Sequence, residues 1–218
     1  MSLQQQLSEL KTNIKSQIPE DVLQKFDESI QALDESGMAN HAPQVGDKLS
    51  NFVLSNQLGQ QTSLAELRKS GPVVMVFYRG GWCPYCNLEL RAYQQILPLL
   101  KANGAQLVAI TPELPDSSLS TIEKNELEFE VLSDVGTDYA KKIGLAFTLP
   151  EELREIYANL GGDLQKFNGV DNFNLPIPAT LVVDTDGKIA FAHVDVDYTT
   201  RANPEDVLRV VGNIKSSQ

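Results

Sequence analysis

The two cysteines of this chain stand three residues apart, in Cys83-Pro84-Tyr85-Cys86. The segment directly follows an apolar run, Val73 to Tyr78, and precedes a helix-forming stretch. Backbone N–H groups at a helix start, together with the helix dipole, stabilise a thiolate. In such places a cysteine pKa falls from about 8.5 to between roughly 3.5 and 7.5. Residues three apart there lie near the Cα separation of about 5.5 Å that a disulfide favours. One sulfur can therefore attack while the other resolves, which is thiol–disulfide or thiol–peroxide chemistry. Gly80-Gly81, just before, is read as leaving the approach to the sulfurs open. Competing uses fit less well. Cysteines that merely fill core have no reason to flank Pro-Tyr between a strand and a helix. Zinc needs four ligands, whereas there is no third cysteine and the two histidines, His41 and His193, are far apart in sequence. Both histidines are read as surface residues, which also disfavours a Cys-His hydrolase. The glycines have neither GxGxxG nor Walker spacing, so no nucleotide, flavin, haem or metal is expected.

The elements that must hold this pair alternate in type. Leu3, Leu7, Leu10 and Ile14, then Leu23, Phe26, Ile30 and Leu33 after Pro19, recur at helical spacing and predict a two-helix arm over residues 1–40. Its apolar stripe is packing surface, first for its own domain and second for another copy in a homodimer. From Ala42 the texture changes. Phe52 to Leu54 predicts a short strand, Gly59 a turn, and Ser63 the cap of a helix reaching Lys69. Val73 to Tyr78 is continuous and β-branched, as a strand buried on both faces should be. A helix should run from the cysteines to Ala102, followed by a buried strand over 105–111. Helices are expected over 119–126 and 137–143, with a strand over 129–132 between them. Residues 148–176 predict an inserted helix and loop, and the aromatics Phe147, Tyr157, Phe167 and Phe173 are read first as its own small core and second as a lid over the cysteines. A hairpin over 180–194 and a helix over 204–214 complete an α/β chain with a mixed central sheet. The domain division expected is 1–40 for the arm and 41–218 for the rest.

The 218 residues carry 18 Lys and Arg against 29 Asp and Glu, a net charge of −11. That balance argues against nucleic acid and anionic membrane as partners. No apolar run approaches the ~20 residues of a membrane span, and the polar start, Met1-Ser2-Leu3-Gln4-Gln5-Gln6, does not look like an export signal. The expectation is a soluble protein of a reducing cytoplasm, where cysteine pairs are catalytic more often than structural.

Val73 through Leu88, Ile177-Pro178-Ala179-Thr180 and the Asp184-to-Ile189 hairpin together resemble the thioredoxin-fold superfamily, and within it the peroxiredoxin-like alkyl hydroperoxide reductase/thiol-specific antioxidant (AhpC/TSA) branch. The resemblance spans about residues 43–215, with 148–176 as an insertion. It implies a thioredoxin-like fold and two competing registers. In the peroxiredoxin register Cys86 takes the peroxidatic place and Glu89 matches the acid three residues later. In the thioredoxin register Trp82-Cys83 matches the Trp-Cys pair, so Cys83 attacks, Cys86 resolves and Trp82 borders the substrate groove. Pro178 falls where thioredoxin-fold oxidoreductases carry a cis-proline facing the cysteines. It also falls where peroxiredoxins carry an arginine, so Arg79, Arg91 or Arg201 would have to replace that arginine in space. Each of the three is otherwise a solvated side chain, and Glu89 is otherwise an acid favoured by the dipole in a first helical turn. The buried acid of thioredoxins has no counterpart in the stretch of Met75 and Val76. The resemblance implies reduction of hydroperoxides through a Cys83–Cys86 disulfide, recycled by thioredoxin, glutaredoxin or glutathione. Protein disulfide reduction is the alternative, and a non-catalytic redox sensor the competing class.

Overall fold

The computed structural model describes residues 1–216, so the last two residues of the expected 41–218 domain lie outside the described residues. Helix α1 (Leu3–Gln17) is opened by a capping box on Ser2, and α2 (Glu20–Glu35) follows Pro19. Strands β1 (Val53–Asn56) and β2 (Gln61–Ser63) form a hairpin, and Ser63 caps the short α3 (Leu64–Leu67). The polar β2 was not expected, since an edge strand carries no apolar signal. Helix α3 ends two residues short of Lys69.

Strand β3 (Val73–Phe77) leads into α4 (Pro84–Ala102), with Pro84 in the first turn, where its missing N–H is harmless. Then follow β4 (Gln106–Thr111), α5 (Pro115–Asn125), β5 (Glu130–Ser133) and α6 (Asp138–Lys142). Helix α5 starts four residues before the 119–126 prediction, at a proline that suits a first turn. Helix α6 stops at Gly144, whose φ is +75° and where a Cβ would lie 2.5 Å from the His41 carbonyl oxygen. Strands β6 (Ala146–Thr148) and β7 (Asn174–Pro176) pair antiparallel and bracket α7 (Glu151–Asn159) and α8 (Leu164–Asn168). The insertion is thus a hairpin base with two helices rather than one helix and a loop. Strands β8 (Ala179–Val183) and β9 (Ile189–Val194) precede α9 (Pro204–Ser216).

The main sheet has seven strands in the order β2-β1-β5-β4-β3-β8-β9. Strand β3 lies inside it, parallel to β4 and antiparallel to β8. Its alternate residues feed two separate cores: Val74 and Val76 join the face under α4 and α9, and Val73, Met75 and Phe77 the other. That division explains the unbroken apolar run, because both faces of the sheet are covered. The architecture is the expected mixed sheet flanked by helices.

The arm docks on its own fold. Leu3 and Leu7 are buried in the core that contains Tyr93, Leu97 and Val211, with Leu10 and Ile14 partly covered beside them. Phe26 of α2 packs into the insertion against Leu153, Tyr157 and Leu164, its ring edge-on to Tyr157 at 5.8 Å. Among the described residues no helix is long and apolar enough to cross a membrane. Because Leu7 is buried among main-core side chains, Leu7→Ala should lower the unfolding free energy of the whole chain by about 2–5 kcal/mol. Urea unfolding followed by tryptophan fluorescence (Trp82 lies in the body) checks this. An unshifted midpoint would show an arm that folds apart.

Candidate active site

Chain direction builds the site. Strand β3 delivers Tyr78 and Arg79 to its C-terminal end, a tight loop reverses, and Cys83 is the extended residue that opens α4. The loop is held by Cys83 N–H on the Gly80 carbonyl at 3.1 Å and by Asn87 Nδ2 on the carbonyls of Gly81 and Cys83 at 2.8 and 3.0 Å. The two glycines do not open an approach. A Cβ on Gly80 would run into Trp82 Nε1 and Glu113 Oε1, and one on Gly81 into Thr121 Oγ1. Glycine is required there for close packing.

Each sulfur has its own guanidinium. Arg79 Nη2 lies 3.5 Å from Cys83 Sγ, and Nη1 donates to the Tyr157 hydroxyl at 2.8 Å. The same guanidinium stacks on Tyr198 at 4.0 Å from the ring centre and lies 5.1 Å from that of Trp82. Arg201 Nη2 donates to Cys86 Sγ at 3.2 Å, Nη1 donates to the Tyr198 carbonyl at 2.7 Å, and Nε pairs with Glu89 Oε2. Thr180 Oγ1 donates to the other oxygen of Glu89 at 3.4 Å, and the Tyr93 hydroxyl donates to Thr180 at 3.3 Å. Arg79 and Arg201 are each only 4 % exposed, so the expectation of solvated arginines is overturned: both are drawn in by the sulfurs, the aromatics and Glu89. Glu89 is no first-turn surface acid. It sits in the second turn of α4, fully buried and ion-paired.

The remaining expectations divide. Trp82 is half-buried and lines the pocket beside Arg79 and Tyr157. Pro178 is buried near Arg79, but no described peptide bond is cis, so the cis-proline expectation fails. Arg91 is exposed and donates to Asn125 Oδ1, away from the sulfurs. His193 is half-buried rather than superficial, and burial lowers its pKa. Three participants were missed. Tyr198 follows the hairpin, and Tyr157 came with an insertion read first as self-contained; the insertion has its own core but also reaches Arg79. The third is Glu113, a buried acid facing the Cys83 loop from after β4, where both its oxygens accept the Gly81 N–H. The C-terminal end of a parallel strand is where α/β proteins gather their ligand-binding groups, and that was the available signal.

The electrostatics separate the two sulfurs. Burial opposes ionisation of Cys83, but a hydrogen bond from Cys86 and the charges of Arg79 and Arg201 outweigh it and hold Cys83 well below the usual thiol range. Burial, then the hydrogen bond to Cys83 and its negative charge, push Cys86 well above that range. The negative charge of the reduced pair is therefore favoured on Cys83 over Cys86. Burial raises Glu89 to about 7 against the pull of Arg201. Both sulfurs are fully covered, contrary to the open approach expected. Beside the cover is a pocket of about 210 Å³, walled by Arg79, Trp82, Pro84 and Tyr157 and by Ile18 and Phe26 of the arm.

A mixed sheet with a two-cysteine helix start facing a buried guanidinium pair defines a thioredoxin-fold thiol oxidoreductase. The profile of the AhpC/TSA family matches residues 45–192, and the chain belongs to that family. Its relatives include the thiol-disulfide oxidoreductase ResA of Bacillus thuringiensis, 22% identical over 147 residues and 67% of each chain. Peroxiredoxin Q of Populus jackii is 32% identical over 100 residues, covering 46% of each chain. Similar folds include the peroxidoxin BcpB of Mycobacterium tuberculosis (TM-score 0.62, 21% identity, 79% of this chain and 98% of that one). Peroxiredoxin 6 of Arenicola marina gives a TM-score of 0.64 at 17% identity, over 80% of this chain and 75% of that one.

Because Cys83 is held as a thiolate, absorbance near 240 nm should show about one thiolate per chain at pH 7, with its titration step below the ordinary value of about 8.5. Arg79→Met should move that step upward and Cys83→Ser should abolish it. A wild-type step at or above 8.5 would refute the assignment.

Proposed function

We propose that this protein reduces hydroperoxides through a Cys83–Cys86 dithiol cycle in which Cys83 attacks first. The observation that carries the reading is Arg79, whose guanidinium meets Cys83 Sγ and also walls the pocket. Arg79 Nε is buried with no hydrogen-bond partner, so a donor is left over for a peroxide oxygen. In the first step the Cys83 thiolate gives two electrons to the O–O bond and becomes a sulfenic acid, and the alkoxide or hydroxide released takes up one proton from outside the sulfur pair to leave as alcohol or water. In the second the Cys86 sulfur displaces the hydroxyl, water leaves, and the disulfide forms. A thiol reductant such as thioredoxin, glutaredoxin or glutathione then reopens it by exchange. The cycle therefore needs a compartment that keeps such a thiol reduced.

The cover over both sulfurs favours a small substrate over a protein disulfide. The second reading rests on Cys86. Arg201 takes the spatial role of the arginine expected at Pro178, and with Glu89 it builds around Cys86 the setting that the peroxiredoxin register implies. In that reading Cys86 is oxidised and Cys83 resolves.

Stopped-flow mixing of the reduced protein with hydrogen peroxide and with cumene hydroperoxide should give rates about 10²–10³ above free cysteine, the usual worth of an oriented donor set. Insulin-disulfide reduction should be slow by comparison. Cys86→Ser should trap a sulfenic acid on Cys83, while Cys83→Ser should not trap one on Cys86; the reverse pattern selects the second reading. Peroxide rates no better than free cysteine would sink both.

A further inference from the structure

Glu113 takes no part in the cycle just described, yet it is the least compensated acid near the sulfurs. It lies in the turn between β4 and α5, is 1 % exposed, and has no salt bridge among the described residues. Its only hydrogen-bond donor there is the single N–H of Gly81, at 3.1 and 3.0 Å from its two oxygens. Trp82 Nε1, which shares the space above Gly80 with Glu113 Oε1, is buried and bonds to nothing.

The surroundings offer little else to hold a negative charge. Tyr78 faces it from the end of β3, and Cys83 from the loop before α4. Arg79 turns its Nη1 and Nη2 to Tyr157 and Cys83 and makes no hydrogen bond to Glu113. Ser118 and Thr121 of α5 are neutral, and Asp116 of that helix is exposed. Asp134, after β5, is taken up by the amides of Tyr139 and Ala140. Lys166 of α8, the helix packed on Leu114, lies over the Phe167 ring. A carboxylate this deep with one N–H and no cation favours its neutral form. Burial, opposed by the Gly81 N–H and assisted by the Cys83 charge, pushes Glu113 up to about 7.

The Cys83 charge is the one component of this setting that the reaction removes. We propose that Glu113 is the proton reservoir of the dithiol centre, protonated while Cys83 is a thiolate and ionised once Cys83 and Cys86 are joined. This rests on Cys83 being the thiolate of the reduced pair. The balance closes: Cys83–S⁻, Cys86–SH, Glu113–COOH and ROOH become the Cys83–Cys86 disulfide, Glu113–COO⁻, ROH and water. The two sulfurs give up two electrons, the O–O bond accepts them, and the site's single negative charge passes from sulfur to carboxylate. Glu113 acts here through its charge on Cys83 and is a positioning residue for the proton balance.

The test is the oxidation equilibrium of the full chain against the glutathione couple between pH 5 and pH 8, for wild type and Glu113→Gln. Glutamine keeps an acceptor for Gly81 but cannot ionise. The ratio of the two oxidation constants should be near one at pH 5. It should climb in favour of the oxidised wild type between the oxidised-state and reduced-state pKa values of Glu113 and level off above about 7, at about tenfold for each unit by which disulfide formation lowers that pKa. Glu113→Asp, which still titrates, should restore the pH dependence and serves in its place if the glutamine variant misfolds. A ratio independent of pH overturns the proposal even if it is offset from one, since an offset alone reports a loop disturbed in both redox states. Mass spectrometry of the oxidised wild type separates the two levels. Loss of two hydrogens with a flat ratio removes only Glu113; no disulfide removes the dithiol cycle as well.

Discussion

Everything in this molecule turns on two buried sulfurs, each set against a buried guanidinium. A thiolate without water is costly unless opposite charge or hydrogen bonds surround it. Here Cys86 supplies a hydrogen bond, and Arg79 and Arg201 bring positive charge from two directions. The guanidiniums are themselves buried and are balanced in turn, Arg201 by Glu89 and by the Tyr198 and Thr200 carbonyls, Arg79 by the faces of Tyr198, Trp82 and Tyr157. Removing one partner from such a set leaves the others uncompensated, so the site must be assembled whole.

That requirement explains which elements sit where. Strand β3 supplies Arg79, α4 supplies both sulfurs and Glu89, β8 supplies Thr180, and the loop after β9 supplies Tyr198 and Arg201. These strands are neighbours in the sheet, in the order β3-β8-β9, and α4 lies across them. Relatives named for peroxide reduction and for disulfide exchange both resemble this chain. A covering layer of side chains lies over both sulfurs.

The sequence made the local chemistry readable and left its long-range partners hidden. The cysteine pair, the helix it opens and the doubly buried β3 follow from spacing and apolar runs, which are short-range signals. Arg79 and Arg201 could be named as candidates, but not their burial, since 122 positions separate them and nothing in the chain says that they meet. Glu89 was read as a first-turn surface acid, whereas it lies in the second turn of α4 and its burial depends on Arg201, far along the chain. Glu113 was invisible because its role depends on a glycine loop 32 residues earlier. The arm's docking on its own fold was expected, whereas its share in the pocket wall depends on tertiary packing alone. Pro178 shows the opposite error, in which a sequence position suggested a backbone geometry that the fold does not adopt.

One tether reaches further than its size suggests. Gln4 Nε2 donates to the Arg201 carbonyl, and Lys11 Nζ grips Asp197 and Thr199 on the same loop. The first helix therefore holds the backbone from which the Arg201 side chain reaches Cys86. Excising or permuting that helix would be an operation on sulfur acidity, felt almost two hundred residues downstream, more than the trimming of an appendage.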